Sequence, residues 1–324
     1  MNPGDTGPPP RRLLFVAANP SIDRLYEVDR LVTGTIHRPQ SIVAVPGGKG
    51  LNAARAAATL GGTVTAVGIV AGRAGDWIVE RLAALAIDAR MARSNGETRT
   101  CISVLDRSSG AMTEFYERGE EIERAAWDAL EAIVETELGA GDVAAVAVSG
   151  SLPLGAPPDG YGRIARIAAA HPGPVAVFGD TFGPALAAVL IEGPTVVKLN
   201  ADEAGQSSAM AVSDASSAAA AGGVLRELGA TWVVVTLGSA GAVVVGPSEQ
   251  VHLVPPDLRG AYPVGSGDAF LGGLAVAYAR GGPIVDAARL GLAAGIANAQ
   301  IPGAGALDPT TVDGILGRIT QVSI

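Results

Sequence analysis

Cysteine is almost absent from this chain: Cys101 is the single example in 324 residues, which excludes an internal disulfide and fits a reducing, cytoplasmic setting. Histidine is nearly as scarce. His37, His171 and His252 lie far apart with no ligand spacing around them, which argues against a structural zinc site. Positive charge is outnumbered, with 23 Lys+Arg against 32 Asp+Glu and a net charge of −9, so non-specific attraction to nucleic acid or to an anionic membrane is disfavoured. Long hydrophobic runs are missing too; the longest, such as Trp232 to Leu237, stop far short of a membrane span.

The length suits one large α/β domain or two smaller ones. Residues 1–12 are rich in glycine and proline, end in two arginines and lead into no apolar signal-peptide core, so they read as a disordered tail before a domain over 13–324. Apolar runs of strand length (Leu13 to Ala18, Val64 to Val70, Val143 to Val148, Val175 to Phe178, Thr195 to Leu199, Trp232 to Thr236) alternate with segments of helical period. Continuous hydrophobicity within each run marks strands buried on both faces, so the fold class is α/β, with a mainly parallel central sheet flanked by helices on both sides. Two regions, about 24–45 and 98–117, alternate instead, as in Cys101 to Leu105 and Met112 to Tyr116. They predict a small second sheet, either a lid over a ligand or a dimerisation ribbon. The Ser/Ala-rich segment Val212 to Gly222 is expected to be helical.

The strongest chemical signal is Tyr262-Pro263-Val264-Gly265-Ser266-Gly267-Asp268-Ala269-Phe270, a two-glycine turn that delivers one carboxylate to the start of a hydrophobic helix. Exposed backbone N–H groups and the positive end of a helix can hold a phosphoryl group there while Asp268 touches its acceptor. An ordinary helix entry, with Asp268 as cap or first-turn acid, has the same appearance. Further segments supply candidates for the rest of a site. Asp23 follows the first strand, in the crevice where open α/β sheets bind ligands. In Pro46-Gly47-Gly48-Lys49-Gly50-Leu51-Asn52, the glycines admit a polyol, Asn52 can pair with vicinal hydroxyls, and Lys49 supplies charge. The spacing of Gly48, Gly50 and Ala53 mimics a dinucleotide fingerprint, but the next strand ends without the ribose-binding acid; Gly50 also stands where a P-loop needs Ser or Thr.

Arg99 in the expected lid could grip an anion, and Ser151, after another buried strand, could hold a phosphate. Lys198 and Asn200 close a strand just before Glu203, where the polar cluster could order water around magnesium. The turn carrying Thr236, Gly238 and Gly241 either makes a simple hairpin or lets a nucleotide lie against its backbone.

Together, Gly-Gly-Lys-Gly-x-Asn at 47–52, Thr-Arg at 98–99, Gly-Ser-Leu-Pro at 150–153, Asn-x-x-Glu at 200–203 and Gly-x-Gly-Asp at 265–268 resemble the ribokinase (PfkB) carbohydrate kinase family, hexose-phosphate branch, from about Leu13 to the end. The resemblance implies a ribokinase-like kinase domain with a lid. Asp268 would be the base, with Gly265, Ser266 and Gly267 as anion hole. Asp23, Gly48 and Asn52 would hold sugar hydroxyls, and Lys49, Arg99 and Ser151 the existing phosphate. Asn200 and Glu203 would organise Mg2+ through water, Lys198 would belong to the nucleotide side, and the stretch from Thr236 to Gly241 would border ATP. It further implies an ATP-dependent kinase of a phosphorylated ketohexose, first fructose 1-phosphate, with tagatose 6-phosphate, fructose 6-phosphate or a free sugar as other acceptors, and a homodimer through the lid. A sugar-phosphate sensor without turnover is the reading from another class. The chain departs from the branch at Tyr116, where an asparagine near the sugar is lost, at Phe182, where the Asp-Thr-Ser-Gly segment appears as Asp180-Thr181-Phe182-Gly183, and at Leu199, where Lys-Pro-Asn appears as Lys198-Leu199-Asn200. Ser266 also replaces the usual alanine.

Overall fold

A computed structural model describes residues 11–324. In chain order the elements are β1 (Arg12–Ala17), β2 (Ser21–Val28), β3 (Ser41–Gly47), α1 (Lys49–Thr59), β4 (Val64–Val70), α2 (Gly72–Ala84), β5 (Asp88–Arg93), β6 (Thr100–Asp106), β7 (Met112–Tyr116) and α3 (Arg124–Gly139). There follow β8 (Val143–Ser149), α4 (Gly160–Ala169), β9 (Ala176–Asp180), α5 (Gly183–Ile191), β10 (Val196–Asn200), α6 (Ala201–Ser208), α7 (Ala215–Glu227) and β11 (Trp232–Thr236). The chain closes with β12 (Ala242–Val245), β13 (Gln250–Val254), α8 (Ser266–Ala279), α9 (Ile284–Asn298), α10 (Pro309–Leu316) and β14 (Thr320–Ser323).

Ten strands form the main sheet in the order β14-β13-β12-β11-β10-β9-β8-β1-β4-β5. The pairs from β5 across to β11 are parallel, and β12, β13 and β14 add an antiparallel edge. Strand β1 shows why the run is continuously apolar. Its Leu13, Phe15 and Ala17 pack with Leu51, Phe270 and Leu274 on one face, while Leu14 and Val16 pack with Trp127, Leu130 and Tyr161 on the other. Helices therefore cover both sides, and a third cluster, from Val197 and Val233 to Leu225, continues the second layer. From β1 the chain steps to β4 and β5 in one direction and, after the lid strands, to β8, β9 and β10 in the other. That reversal between β1 and β8 opens a crevice beyond their carboxyl ends.

The second sheet has the order β3-β2-β6-β7, drawn from the two regions whose hydrophobicity alternates. On β6 the alternation appears directly as burial, with Cys101, Ser103 and Leu105 buried and their neighbours half-buried. The expected helix over Val212 to Gly222 begins later, at Ala215, because Asp214 forms a capping box with Ser217. The tail expected over 1–12 falls, for residues 1–10, outside the described residues. Arg11 and Arg12 do not belong to it. Arg11 donates to the carbonyls of Val143 and Pro174, and Arg12 opens β1 and pairs with Glu137 and Asp142.

Candidate active site

The site is built around the N-terminus of α8. Gly265 caps that helix at φ 85°. A Cβ there would fall 2.6 Å from Ala304 Cα and from the Gly305 amide nitrogen, so both backbone angle and space demand glycine. The turn is held from behind by Asn298 of α9, whose Nδ2 donates to the carbonyls of Val264 at 3.0 Å and Tyr262 at 3.3 Å. Asn298 is fully buried at the end of α9, after the uncharged, apolar stretch Leu290 to Ala297; a lone amide in such a stretch was the available signal for this residue. Of the turn residues expected to form an anion hole, Ser266 has its amide already bonded. The Ser266 amide donates to Pro263 O at 3.2 Å. The open donors of the turn are instead the amides of Gly265, Gly267 and Asp268.

The Asp268 side chain is buried and accepts a bond from Asn52 Nδ2 at 3.0 Å; the same Nδ2 donates to Asp23 Oδ2 at 3.2 Å. Asn52 and Asp268 are thus bonded across 216 positions of sequence. Asn52 Oδ1 is buried without a partner, an acceptor left for a ligand hydroxyl. Asp23 also accepts from Ser21 Oγ at 2.6 Å and from the Gly48 amide at 3.3 Å. It can fold back this way because residue 47 is glycine, where a Cβ would stand 2.0 Å from Asp23 Cγ. Burial, and then the negative charge of Asp180, push the Asp268 carboxyl up to about 6; Lys49, the Asn52 bond and Lys198 oppose the rise. A carboxylate tuned toward neutrality is suited to accept a proton.

Asp180, which sequence reasoning left among the departures, is the hub of the site. It is fully buried at the end of β9, 3.1 Å from Lys49 Nζ and 2.7 Å from Lys198 Nζ. Burial alone would raise its carboxyl, but Lys198 and then Lys49 outweigh that and hold it below the usual carboxylate range. Lys49 was expected, with Arg99, to be an unpartnered cation waiting for an anion. It is not, since it binds Asp180 and, at 3.0 Å, Glu203. Arg99 donates to the carbonyls of Asn19 at 3.0 Å and Glu117 at 3.1 Å. Asn200 and Glu203 form a capping box on α6, each side chain bonded to the other's amide. Glu203 is further held by Lys49, and no cluster of three or more His, Cys, Asp or Glu that could hold a metal occurs among the described residues.

Two cavities meet at the turn. One, of about 510 Å³, is lined by Asp23, Gly48, Lys49, Asn52, Arg99 and Ser151, with Gly265 and Asp268 at its floor. Asn19 from the β1 end donates to Ser151 Oγ at 3.1 Å, closing the crevice wall. The other, of about 590 Å³, is bordered by Thr236, Gly238 and Gly241, by Ser266 and Gly267, and by apolar Phe270, Leu292 and Ile296. The Thr236 hydroxyl is bonded to Leu199 O at 3.3 Å, and Ser239, Arg259 and Gln300 add polar side chains to the edge of this cavity. Lys198 lies behind the turn, its Nζ 3.3 Å from where a Cβ on Gly267 would be. Polar and basic groups on one side, an apolar slot beside a glycine turn on the other, and one buried acid between them are the parts of a phosphotransferase acting on a polyol.

This fold and site are those of a carbohydrate kinase. The chain belongs to the pfkB family of carbohydrate kinases, whose family model matches residues 16–311. Among solved structures, phosphofructokinase-2 from Escherichia coli in complex with fructose-6-phosphate is 26% identical with a TM-score of 0.84, over 95% of this chain and 99% of that one. The "possible 1-phosphofructokinase" from Thermotoga maritima is 21% identical with a TM-score of 0.85, over 97% and 99%. Ribokinase from Arabidopsis thaliana, complexed with ribose and ATP, is 21% identical with a TM-score of 0.75, over 95% and 98%. The last two show the common fold, here described as ribokinase-like.

Proposed function

We propose that the protein transfers the γ-phosphoryl group of ATP to a hydroxyl of a phosphorylated ketohexose, with fructose 1-phosphate as the expected acceptor and fructose 1,6-bisphosphate as product. The observation that carries this reading is the Asp268 carboxylate, buried between the two cavities and joined through Asn52 to Asp23. Asp268 takes the proton of the attacking hydroxyl as the new O–P bond forms and the bond to the bridging oxygen of the leaving ADP breaks. The amides of Gly265, Gly267 and Asp268 and the ammonium of Lys198 lie where negative charge gathers on the transferring group. Arg99 and Ser151 line the acceptor cavity and serve the existing phosphate.

The residues fit magnesium only as an ion that takes its ligands from nucleotide phosphates and water, with Asn200 and Glu203 acting through water. When bound, it would neutralise phosphate charge. Strands β2, β6 and β7 close the acceptor cavity and exclude water that would otherwise accept the phosphoryl group. Exposed Ile42 and Phe115, on the two edge strands of the lid, support a homodimer through that sheet. We read the enzyme as cytoplasmic from its single thiol.

Fructose 6-phosphate is the second reading, favoured by the similarity to the Escherichia coli enzyme crystallised with it; tagatose 6-phosphate is chemically close. A sensor without turnover has no need of a base near neutrality. An ADP-release assay over fructose 1-phosphate, fructose 6-phosphate, tagatose 6-phosphate and free sugars tests the proposal. The highest kcat/KM is expected for fructose 1-phosphate. ATP binding without turnover of any hexose phosphate would instead identify the sensor.

A further inference from the structure

Aromatic side chains are 4% of this chain, and Phe15, Trp127, Tyr161, Phe178 and Phe270 are in the core. Three are strongly exposed: Phe115, Tyr116 and Phe182. Two of those three, Tyr116 and Phe182, line the acceptor cavity. They come from different parts of the fold. Tyr116 ends lid strand β7, paired with Cys101 of β6, while Phe182 caps α5 at the rim of the main sheet, directly after the Asp180 hub. They also stand at two of the positions where the chain departs from the sequence pattern of the branch it resembles.

Both rings are held in place. The Tyr116 hydroxyl donates to Glu114 Oε1 at 2.5 Å, so its polar end is anchored along the lid and its ring is left as the surface offered to the cavity. Phe182 lies with its ring centroid 5.9 Å from Lys49 Nζ, itself fixed by Asp180 and Glu203. The remaining lining is mainly polar or small, with Asp23, Asn52, Arg99, Ser151 and glycines, and its other apolar members, Cys101, Pro263 and Val264, are smaller than the two rings. Hydroxyl-binding groups thus surround the phosphoryl end, and the two rings are the only aromatic surfaces among the residues that line the cavity. A large exposed apolar ring costs free energy unless something covers it. The chemistry that matches is the C–H face of a closed sugar ring, which is apolar, flat and close to aromatic dimensions.

We infer that Tyr116 and Phe182 form an aromatic clamp that makes this site specific for acceptors in closed-ring form, one jaw on the lid and the other on the body. The inference rests on the proposed phosphorylation of a ketohexose phosphate and names the determinant of its specificity. Open-chain polyol phosphates offer the same hydroxyls and charge but no continuous face, so they gain nothing from the rings. Because one jaw is on the lid, the clamp also couples ring binding to closure over the acceptor.

The test compares a ring-locked acceptor, 2,5-anhydromannitol 1-phosphate, with an open-chain one, glucitol 6-phosphate, for the full-length wild type and for Tyr116→Leu, Phe182→Leu, the double variant and Tyr116→Phe. Each single leucine variant should raise KM for the ring acceptor about three- to tenfold, the range of an aromatic contact, with kcat and the KM for ATP little changed. The KM for glucitol 6-phosphate should stay constant across the series. Tyr116→Phe, which keeps the ring and loses only the bond to Glu114, should retain most of the preference. Unchanged ring-acceptor KM in the double variant overturns the clamp, as does an equal rise for both acceptors. A wild type that phosphorylates no hexose phosphate at all would overturn the proposed function instead, so the two failures are distinguishable.

Discussion

Replacing Asp268 with asparagine preserves the size of the side chain and an oxygen to accept the bond from Asn52, but removes a charge that the fold holds at a cost. The carboxyl is raised from 3.8 to about 6, first by burial and then by Asp180. An acid raised on folding contributes most to stability below its unfolded value, and that contribution is lost as pH rises through its folded value. Ionised Asp268 therefore opposes folding above pH 6, by about 3 kcal/mol for this span of pKa. The Asp268→Asn variant should be more stable than wild type by up to that amount at pH 8. At unfolding entropies near 2.1 cal/mol/K per residue, the gain corresponds to a rise of about 4 °C in Tm. At pH 5, where wild-type Asp268 is largely protonated when folded, the advantage should shrink to roughly half of that.

The same variant should lose kcat by about two to four orders of magnitude, because the proton of the acceptor hydroxyl has no base. Wild-type kcat/KM should climb with pH to a plateau above about 6. Paired thermal unfolding and ADP-release measurements across pH 5 to 8 check both halves. Near-normal turnover rejects Asp268 as base. A stability difference that is absent at pH 8, or that does not vary with pH, refutes the claim that the fold strains this carboxylate.

Asp180→Asn leaves buried Lys198 beside an uncharged partner and half-buried Lys49 with Glu203 alone, and urea unfolding at pH 7 should show a loss of about 3–5 kcal/mol. Since the Asp180 carboxyl is held low, that loss should fade as pH drops through the carboxylate range. The acid limb of the rate profile should also move to lower pH, because Asp180 helps to raise Asp268. Gly265→Ala places a methyl 2.6 Å from the backbone at Ala304 and Gly305 at a positive φ, so both Tm and kcat should fall; a variant with wild-type kcat would show that the turn does not shape the anion hole. Arg99→Ala should raise the KM for the sugar phosphate about tenfold or more while sparing the KM for ATP. An unchanged KM would remove Arg99 from the phosphate site.

Much of the fold was legible because its signals are local. Val64 to Val70 and Trp232 to Thr236 are strands with the bounds that their apolar runs suggested. The alternation in Cys101 to Leu105 marked a strand of the small sheet. Polar commitments were harder to read. Nothing adjacent to Lys49 or Arg99 in sequence tells that the first meets Asp180 and Glu203, or that the second is bonded to the carbonyls of Asn19 and Glu117. The Ser266 amide likewise looked free until the turn brought Pro263 O to it.

The amino-acid order alone specified the α/β class, the two-sheet plan and the glycine turn that carries Asp268, because hydrophobic period and backbone freedom are properties of short segments. Tertiary structure decided which charges neutralise one another and which acid is strained. Asn52 touches Asp268 across 216 positions, and Asp180 joins two lysines from different elements. The strength of those interactions depends on distance and burial, which exist only once the chain has folded.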